Sequence, residues 1–256
     1  MKQITNGVYL TTLIGGYAAR GVIAKNIIRN SNTRLKYYTK NVSRRSKQAL
    51  GRLNFEVKVK GFDADKMAKN NYLIVSNHMS YLDILVISSI LPSVFVTSND
   101  LKESGFLGTL AELGGSIFIE RRNRSQIEKD LEQMTKTLKE GFNIVIYPEG
   151  TSSNGDAVLP FKKSLLMSAV FAGKDIIPVC LKYREINGKP FSLENRDHVC
   201  WYGDMTFIPH FLQLLKTKKV VAEIEFLEVV KTTPDSTRDE LASKCYEQIS
   251  AAYSNN

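Results

Sequence analysis

A histidine and an aspartate five positions apart, within Asn77-His78-Met79-Ser80-Tyr81-Leu82-Asp83, are the residues of this chain best suited to acid–base chemistry. An imidazole that donates one N–H to a carboxylate keeps a fixed tautomer, and its other nitrogen is then free to take a proton from a hydroxyl. On one continuous helix, residues five apart point roughly 140° away from each other, because the helix has 3.6 residues per turn. The pair therefore meets only if His78 stands on a bend before a helix and Asp83 inside it. The competing reading, a helix-capping histidine and a solvated first-turn acid, stays open on these two residues alone.

The flanking sequence supplies the elements such a bend needs. Asn71-Tyr72-Leu73-Ile74-Val75-Ser76 is an apolar, β-prone run, and the apolar stretch from Ile84 to Leu91 is stopped by Pro92. Buried strand, tight turn and helix follow in that order. Two further polar groups stand just past apolar runs. Gly115-Ser116-Ile117-Phe118-Ile119-Glu120-Arg121 ends in the basic cluster Arg121, Arg122 and Arg124, and Phe142 to Tyr147 leads into Pro148-Glu149-Gly150-Thr151-Ser152. Ligand crevices of open α/β sheets lie beyond the carboxyl ends of the strands, so His78, Arg121 and Glu149 are expected to converge on one cleft.

The remaining pattern extends the alternation. Phe55, Val57 and Val59 alternate with charged residues as in a half-buried strand, and Val94-Phe95-Val96 reads as another. Residues 100–113 read as a helix broken by Gly105 and Gly108. Ser125-Gln126-Ile127-Glu128 is a capping box opening a helix with Ile127, Leu131, Met134 and Leu138 on one face and Gly141 at its end. A helix over Lys162 to Ala172 stops at Gly173, and Ile176 to Leu181 is a strand. Ala222, Ile224 and Phe226 alternate with Glu223 and Glu225 as an edge strand, and a last helix carries Leu241, Cys245, Ile249 and Ala252 on one face. The fold class expected is α/β, with a mixed, mostly parallel central sheet flanked by helices and an N-terminal membrane-interacting helical segment. The aromatic cluster Trp201, Tyr202, Phe207 and Phe211 fits either a substrate or bilayer flank or a satellite of the core.

The 256 residues suffice for one large domain. Cys180, Cys200 and Cys245 are odd in number and far apart, which points to a reducing compartment without a disulfide framework, and no metal site is expected. The net charge of +9 is uneven. Residues 1 to 50 hold ten of the 35 cations and none of the 26 acids, so the rest of the chain is one charge negative. Val8 to Ala19 is apolar yet shorter than the roughly twenty residues of a membrane span. Beyond it, Ile23, Ala24, Ile27 and Ile28 alternate with Lys25 and Arg29 at helical spacing, the pattern of a helix lying in a membrane interface with its basic face toward anionic headgroups. A secretory signal would want a better-placed cleavage site, and a nucleic-acid arm would leave the apolar stripe unexplained. The organisation read is a basic amphipathic membrane-associating segment over 1–53 and a catalytic domain over 54–256.

The ordered set Asn77-His78-x4-Asp83, Gly115-x-Ile117-Phe118-Ile119-x-Arg121, Pro148-Glu149-Gly150-Thr151-Ser152 and Ile177-Pro178-Val179 resembles the four motifs of the glycerolipid acyltransferase family, 1-acylglycerol-3-phosphate acyltransferase type. Leu159-Pro160-Phe161-Lys162 also resembles that family, and the similarity covers about residues 55 to 182. It implies catalytic roles for His78 and Asp83, acceptor binding by Arg121, Glu149, Gly150 and Thr151, and support from Asn77, Ser152, Lys162 and Pro178. It further implies acyl transfer from an acyl thioester, acyl-CoA or an acyl-carrier protein, to the hydroxyl of a lysoglycerophospholipid, with no cofactor. The partners implied are membrane lipids and the thioester donor, with no nucleic acid, at the cytoplasmic face as a peripheral or monotopic protein. A thioester already has a good leaving thiol, so the reaction needs a base and no enzyme nucleophile. The chain correspondingly has no Gly-x-Ser-x-Gly elbow. Two departures stand out: Ser152 where many members have Arg, and Ser164 where Gly is common. The first keeps acceptors other than a phosphate monoester open. A membrane-bound thioesterase or lipid hydrolase, and a non-catalytic lipid-binding protein on the same fold, are the alternative readings.

Overall fold

The computed structural model describes residues 2–120 and 126–255. The chain opens with two long helices, α1 (Lys2–Ile27) and α2 (Ser31–Arg52), parted at Ile28 to Asn30, where the Asn30 side chain caps α2 by accepting from the Thr33 amide. Then come β1 (Phe55–Lys60), α3 (Ala64–Lys69), β2 (Leu73–Ser76), α4 (Tyr81–Ile90), β3 (Val94–Ser98), α5 (Asn99–Glu103), α6 (Phe106–Leu113) and β4 (Ile117–Ile119). The second half holds α7 (Ile127–Lys139), β5 (Ile144–Ile146), α8 (Met167–Ala172), β6 (Ile176–Ile186), β7 (Lys189–Pro190), α9 (Phe207–Leu214), β8 (Val220–Phe226) and α10 (Arg238–Ser254).

The strands form one sheet in the order β1-β8-β6-β2-β5-β3-β4, with β7 paired to β6. Every pairing is parallel except β6 with β8 and β6 with β7, so the sheet is mixed and mostly parallel, as the alternation of apolar runs predicts. All four residues of β2 are buried, which suits a short run of apolar residues in the centre of a sheet covered on both faces. Ile74 joins the core shared with α2 and α4, while Leu73 and Val75 join the opposite core with α7 and α10. Because β2 lies between β5 and β6, the loops that leave β2 and β5 at their carboxyl ends are neighbours. That adjacency brings distant sequence motifs together.

Both N-terminal helices belong to the packing of the whole. Leu10 and Leu13 of α1, and Ala49 and Leu50 of α2, are buried in the same cluster as Ile74 and Val86, and α2 lies along α4. The stripe expected on α1 is divided: Ala24 is 4% exposed, whereas Ile23 and Ile27 are 55% and 73% exposed. Among the described residues, no helix is long and apolar enough to cross a membrane.

Three local expectations are corrected. The strand with Ala222, Ile224 and Phe226 is interior rather than an edge: β8 lies between β1 and β6, and Glu223 is tolerated there because Lys60 and Arg184 both pair with it. The helical run over 100–113 breaks at Gly105, but Gly108 lies inside α6, where a Cβ would stand 2.3 Å from the Lys102 carbonyl oxygen; the glycine serves the close approach of α5 and not a break. The helix expected from Lys162 begins as a single 3₁₀ turn at Ser164–Leu166 before α8, because the Lys162 amide is bound to the Pro148 carbonyl. The capping box of α7 falls partly on Ser125, and Arg121, Arg122 and Arg124 are its neighbours; all four lie outside the described residues.

Candidate active site

The bend between β2 and α4 places His78 and Asp83 together. Ser80 is the N-cap of α4, extended at φ −167°, and its hydroxyl accepts from the Leu82 amide. Asp83, at the third helical position, turns back to complete a capping box. One of its oxygens, Oδ2, accepts from the Met79 amide at 2.7 Å, from the Ser80 amide at 2.8 Å and pairs with His78 Nδ1 at 2.9 Å. A helix-capping device thus doubles as the mount of the imidazole. His78 is before the helix and Asp83 inside it, which is the arrangement the five-residue spacing requires. The solvated-acid alternative fails, since Asp83 is 0% exposed while the His78 side chain keeps 19%. With Nδ1 on the carboxylate, Nε2 is left uncommitted among the described residues.

Tyr147, the last residue before the β5 turn, lies flat against His78, with ring centroids 3.9 Å apart and planes 14° from parallel. Phe95 stacks behind it. Burial, with the Asp83 charge as a second cause, holds the Tyr147 phenol well above its ordinary range. The imidazole therefore has a fixed plane as well as a fixed tautomer.

Asn77 fastens the bend from below. Its side chain donates to the Leu181 carbonyl and accepts from the Leu181 amide, both at 2.8 Å, acting as one more rung between β2 and β6. Glu149, buried at the end of the neighbouring β5 turn, accepts from the His78 amide at 2.6 Å and from the Leu159 amide at 2.9 Å. Burial pushes its carboxyl up to about 7, against the pull of those two amides. Glu149 is thus beside His78, as the strand ends predict, and one lone pair on each of its oxygens is engaged by backbone. Arg121, the third expected member of the cleft, lies outside the described residues.

Gly150 has φ +76°, a left-handed turn that favours glycine, and a Cβ there would stand 2.8 Å from Lys162 Nζ. The Lys162 ammonium consequently lies across the Gly150 backbone in the site, reached through the loop that Glu149 and Pro148 pin down. Thr151 is exposed, with its hydroxyl 3.5 Å from the Ser152 carbonyl. The Ser152 hydroxyl donates to the Trp201 carbonyl at 2.5 Å, and the Trp201 amide donates to the Met79 carbonyl at 2.8 Å. Pro178 is inside β6 opposite Val75, its carbonyl accepting from Leu227. The aromatic cluster gathers on Tyr81 at the start of α4, where Trp201, Phe207 and His210 meet its ring edgewise and His210 Nδ1 lies 3.0 Å from its hydroxyl.

Two residues beside the pair are not anticipated by the sequence. Tyr147 sits directly before the Pro148 motif, and its place at a strand end is the signal that could have found it. Tyr183 donates its hydroxyl to Asp83 Oδ1 at 2.7 Å from 100 residues away. No local pattern marks it. Among the described residues there is no cluster of His, Cys, Asp or Glu able to hold a metal ion, and Cys180, Cys200 and Cys245 are buried free thiols.

A His–Asp pair on the bend after a central strand, with a second acid on the adjoining strand end, suits deprotonation of an alcohol beside an activated ester. The chain belongs to the acyltransferase family, whose model, described as Acyltransferase, matches residues 55–182. It is 31% identical over 182 residues to a 1-acyl-sn-glycerol-3-phosphate acyltransferase of Neisseria gonorrhoeae, covering 71% of this chain and 69% of that protein. It is 32% identical over 177 residues to a lyso-ornithine lipid O-acyltransferase of Rhizobium meliloti, covering 66% and 61%. Its fold is shared with the crystal structure of the 1-acyl-sn-glycerophosphate acyltransferase PlsC of Thermotoga maritima, at a TM-score of 0.66 and 22% identity over 99% of this chain and 96% of that one.

Proposed function

We propose that this enzyme transfers an acyl group from an acyl thioester, acyl-CoA or an acyl-carrier protein, to the free hydroxyl of a lyso-lipid at a membrane surface. The observation that carries the reading is the 2.9 Å contact between His78 Nδ1 and buried Asp83, with the imidazole side chain still 19% exposed. Nε2 of His78 takes the proton of the attacking hydroxyl as that oxygen bonds to the thioester carbon. The imidazolium formed is held by the Asp83 carboxylate. When the carbon–sulfur bond breaks, the same proton passes to the departing thiolate, which leaves free thiol and acylated lipid. No acyl-enzyme is needed.

The Lys162 ammonium over Gly150 and, by family resemblance, Arg121 supply cations for an anionic acceptor headgroup. The similarity to proteins named for 1-acyl-sn-glycerol-3-phosphate and for lyso-ornithine lipid supports a lyso-lipid acceptor. Ser152, bonded to the Trp201 backbone where many members carry Arg, keeps the acceptor class wider than phosphate monoesters. Peripheral attachment to a membrane surface is supported by the outer side of α1, where Ile4, Val8, Ile23 and Ile27 are 73%, 63%, 55% and 73% exposed next to the cationic N-terminal segment.

The test is to incubate purified protein with a panel of lyso-lipids and both donor types, following free thiol and identifying products by mass spectrometry. Acylated lipid in step with thiol release is expected. Thiol release that is independent of any lyso-lipid would assign a thioesterase instead.

A further inference from the structure

We infer that Tyr183 is a positioning residue for acyl transfer, holding the outer oxygen of the Asp83 carboxylate so that the inner one faces His78. The inference rests on the reading of His78 as the base, and it starts from the way Asp83 is surrounded. Oδ2 takes two backbone amides and His78 Nδ1, whereas Oδ1 takes the Tyr183 hydroxyl at 2.7 Å. A buried carboxylate oxygen without a donor is costly, and a donor on the outer oxygen draws negative charge away from the inner one. Tyr183 thereby sets both the angle of the carboxylate and how strongly it holds the imidazolium.

The placement of Tyr183 follows from β6. Leu181, two residues earlier on the same face, is the residue clasped by Asn77. The two clasps, Asn77 to Leu181 and Tyr183 to Asp83, fasten β6 to both sides of the His78 bend. Just after Tyr183 the ladder with β8 shifts register: Tyr183 pairs with Ala222 and Glu185 with Val221, leaving Arg184 as the extra residue. The bulge lets Arg184 reach Glu223 while Tyr183 keeps its inward direction. Tyr183 is 3% exposed, and burial, followed by the neighbouring carboxylate, holds its phenol well above the ordinary range, so it stays a donor.

The other ionisable groups around Asp83 come from separate elements. They are Tyr147 at the end of β5, Glu149 in the next turn, Cys200 before the Trp201 segment and Tyr253 of α10. Of these, Tyr147, Cys200 and Tyr253 are all pushed up by burial and are neutral near pH 7, while Glu149 titrates there. Tyr183 alone among them donates to Asp83 in the described structure, which makes its removal separable from theirs.

The experiment compares full-length wild type, Tyr183→Phe and a protein with 3-fluorotyrosine at position 183, measuring kcat, KM for both substrates and the pH profile. Tyr183→Phe is expected to lower kcat about tenfold with KM unchanged, because the carboxylate no longer keeps the angle that aims the imidazole and this outweighs the gain in basicity; the size is that of one charge-assisted hydrogen bond. It should also move the acid limb of the profile to higher pH, because more charge then rests on the oxygen facing His78. The fluorinated phenol is a stronger donor and should move the limb to lower pH. It keeps the hydroxyl, so it decides the matter if Tyr183→Phe does not fold. In an Asp83→Ala background, where the group that Tyr183 holds is gone, Tyr183→Phe should cost no more than twofold. An unmoved profile in the fluorinated protein, or an equal loss in both backgrounds, overturns the role of Tyr183. His78→Ala is the parallel control: retained transfer there would overturn the base itself, whereas an inactive control with an unmoved Tyr183 series overturns only this inference.

Discussion

Replacing Asp83 with asparagine is the sharpest perturbation of the site, because it removes a charge and little else. The amide oxygen takes the place of Oδ2, accepting from Met79, Ser80 and His78, and the amide nitrogen faces the Tyr183 hydroxyl, which can accept as well as donate. The capping box and the tautomer survive, so the protein should fold. What is lost is attraction for the imidazolium that forms as the hydroxyl is deprotonated. Unit charges 2.9 Å apart attract by ~6 kcal/mol at an effective dielectric constant of ~20. The amide dipole and solvent at the exposed edge of His78 return part of this, leaving a loss of ~4 kcal/mol, or roughly a thousandfold in kcat. The assay is radiolabelled acyl transfer to lyso-lipid under saturating donor, with KM and melting temperature recorded beside kcat. A loss under tenfold with an intact fold would show that the carboxylate charge is not what drives the proton transfer.

Other outcomes follow from the same geometry. Asn77→Ala removes two bonds between β2 and β6 and should lower stability by ~2 kcal/mol, read in a urea melt; an unchanged midpoint would mean that the Asn77 clasp does not hold the strands. Glu149 has a folded value near 7 against an ordinary 4.5, so the native state holds its proton more tightly. Its stabilisation is complete below about pH 4.5 and is lost as pH rises through about 7, an upper bound of ~3 kcal/mol. Unfolding measured from pH 4 to 8 should accordingly favour Glu149→Gln over wild type progressively across that window, and a pH-independent difference would contradict it. The double substitution Ile23→Glu, Ile27→Glu lies on the exposed side of α1 and should weaken binding to anionic vesicles by at least tenfold without changing the melting temperature. Undiminished vesicle binding would place the attachment surface elsewhere.

The central part of the fold is legible because its signals are local. Four-residue apolar runs ended by turn residues mark β2 and β5, and the five-residue spacing of His78 and Asp83 dictates the bend between them. The site is legible only in part, since its supports come from other strands. Tyr183 looks like one more β-strand aromatic until β6 is laid beside β2, and the use of both Glu149 oxygens by amides depends on where Leu159 returns. Glu223 misleads for a related reason: alternating acids suggest a solvent-facing edge, but Lys60 and Arg184 arrive from two other strands to neutralise one of them. The stripe on α1 reads as one face in the sequence, and the packing of Ala24 against the body divides it from Ile23 and Ile27.

The seating of α1 and α2 against the body has a geometric consequence. α1 rests on α2, α2 rests on α4, and α4 carries Asp83 in its first turn. On the membrane reading proposed above, the lipid-facing helix and the imidazole form one stiff bracket, so the height of His78 above the leaflet is constant. The enzyme would then work as a depth gauge, accepting a hydroxyl that lies at one fixed level of the leaflet and passing over chemically similar alcohols that sit deeper or farther out.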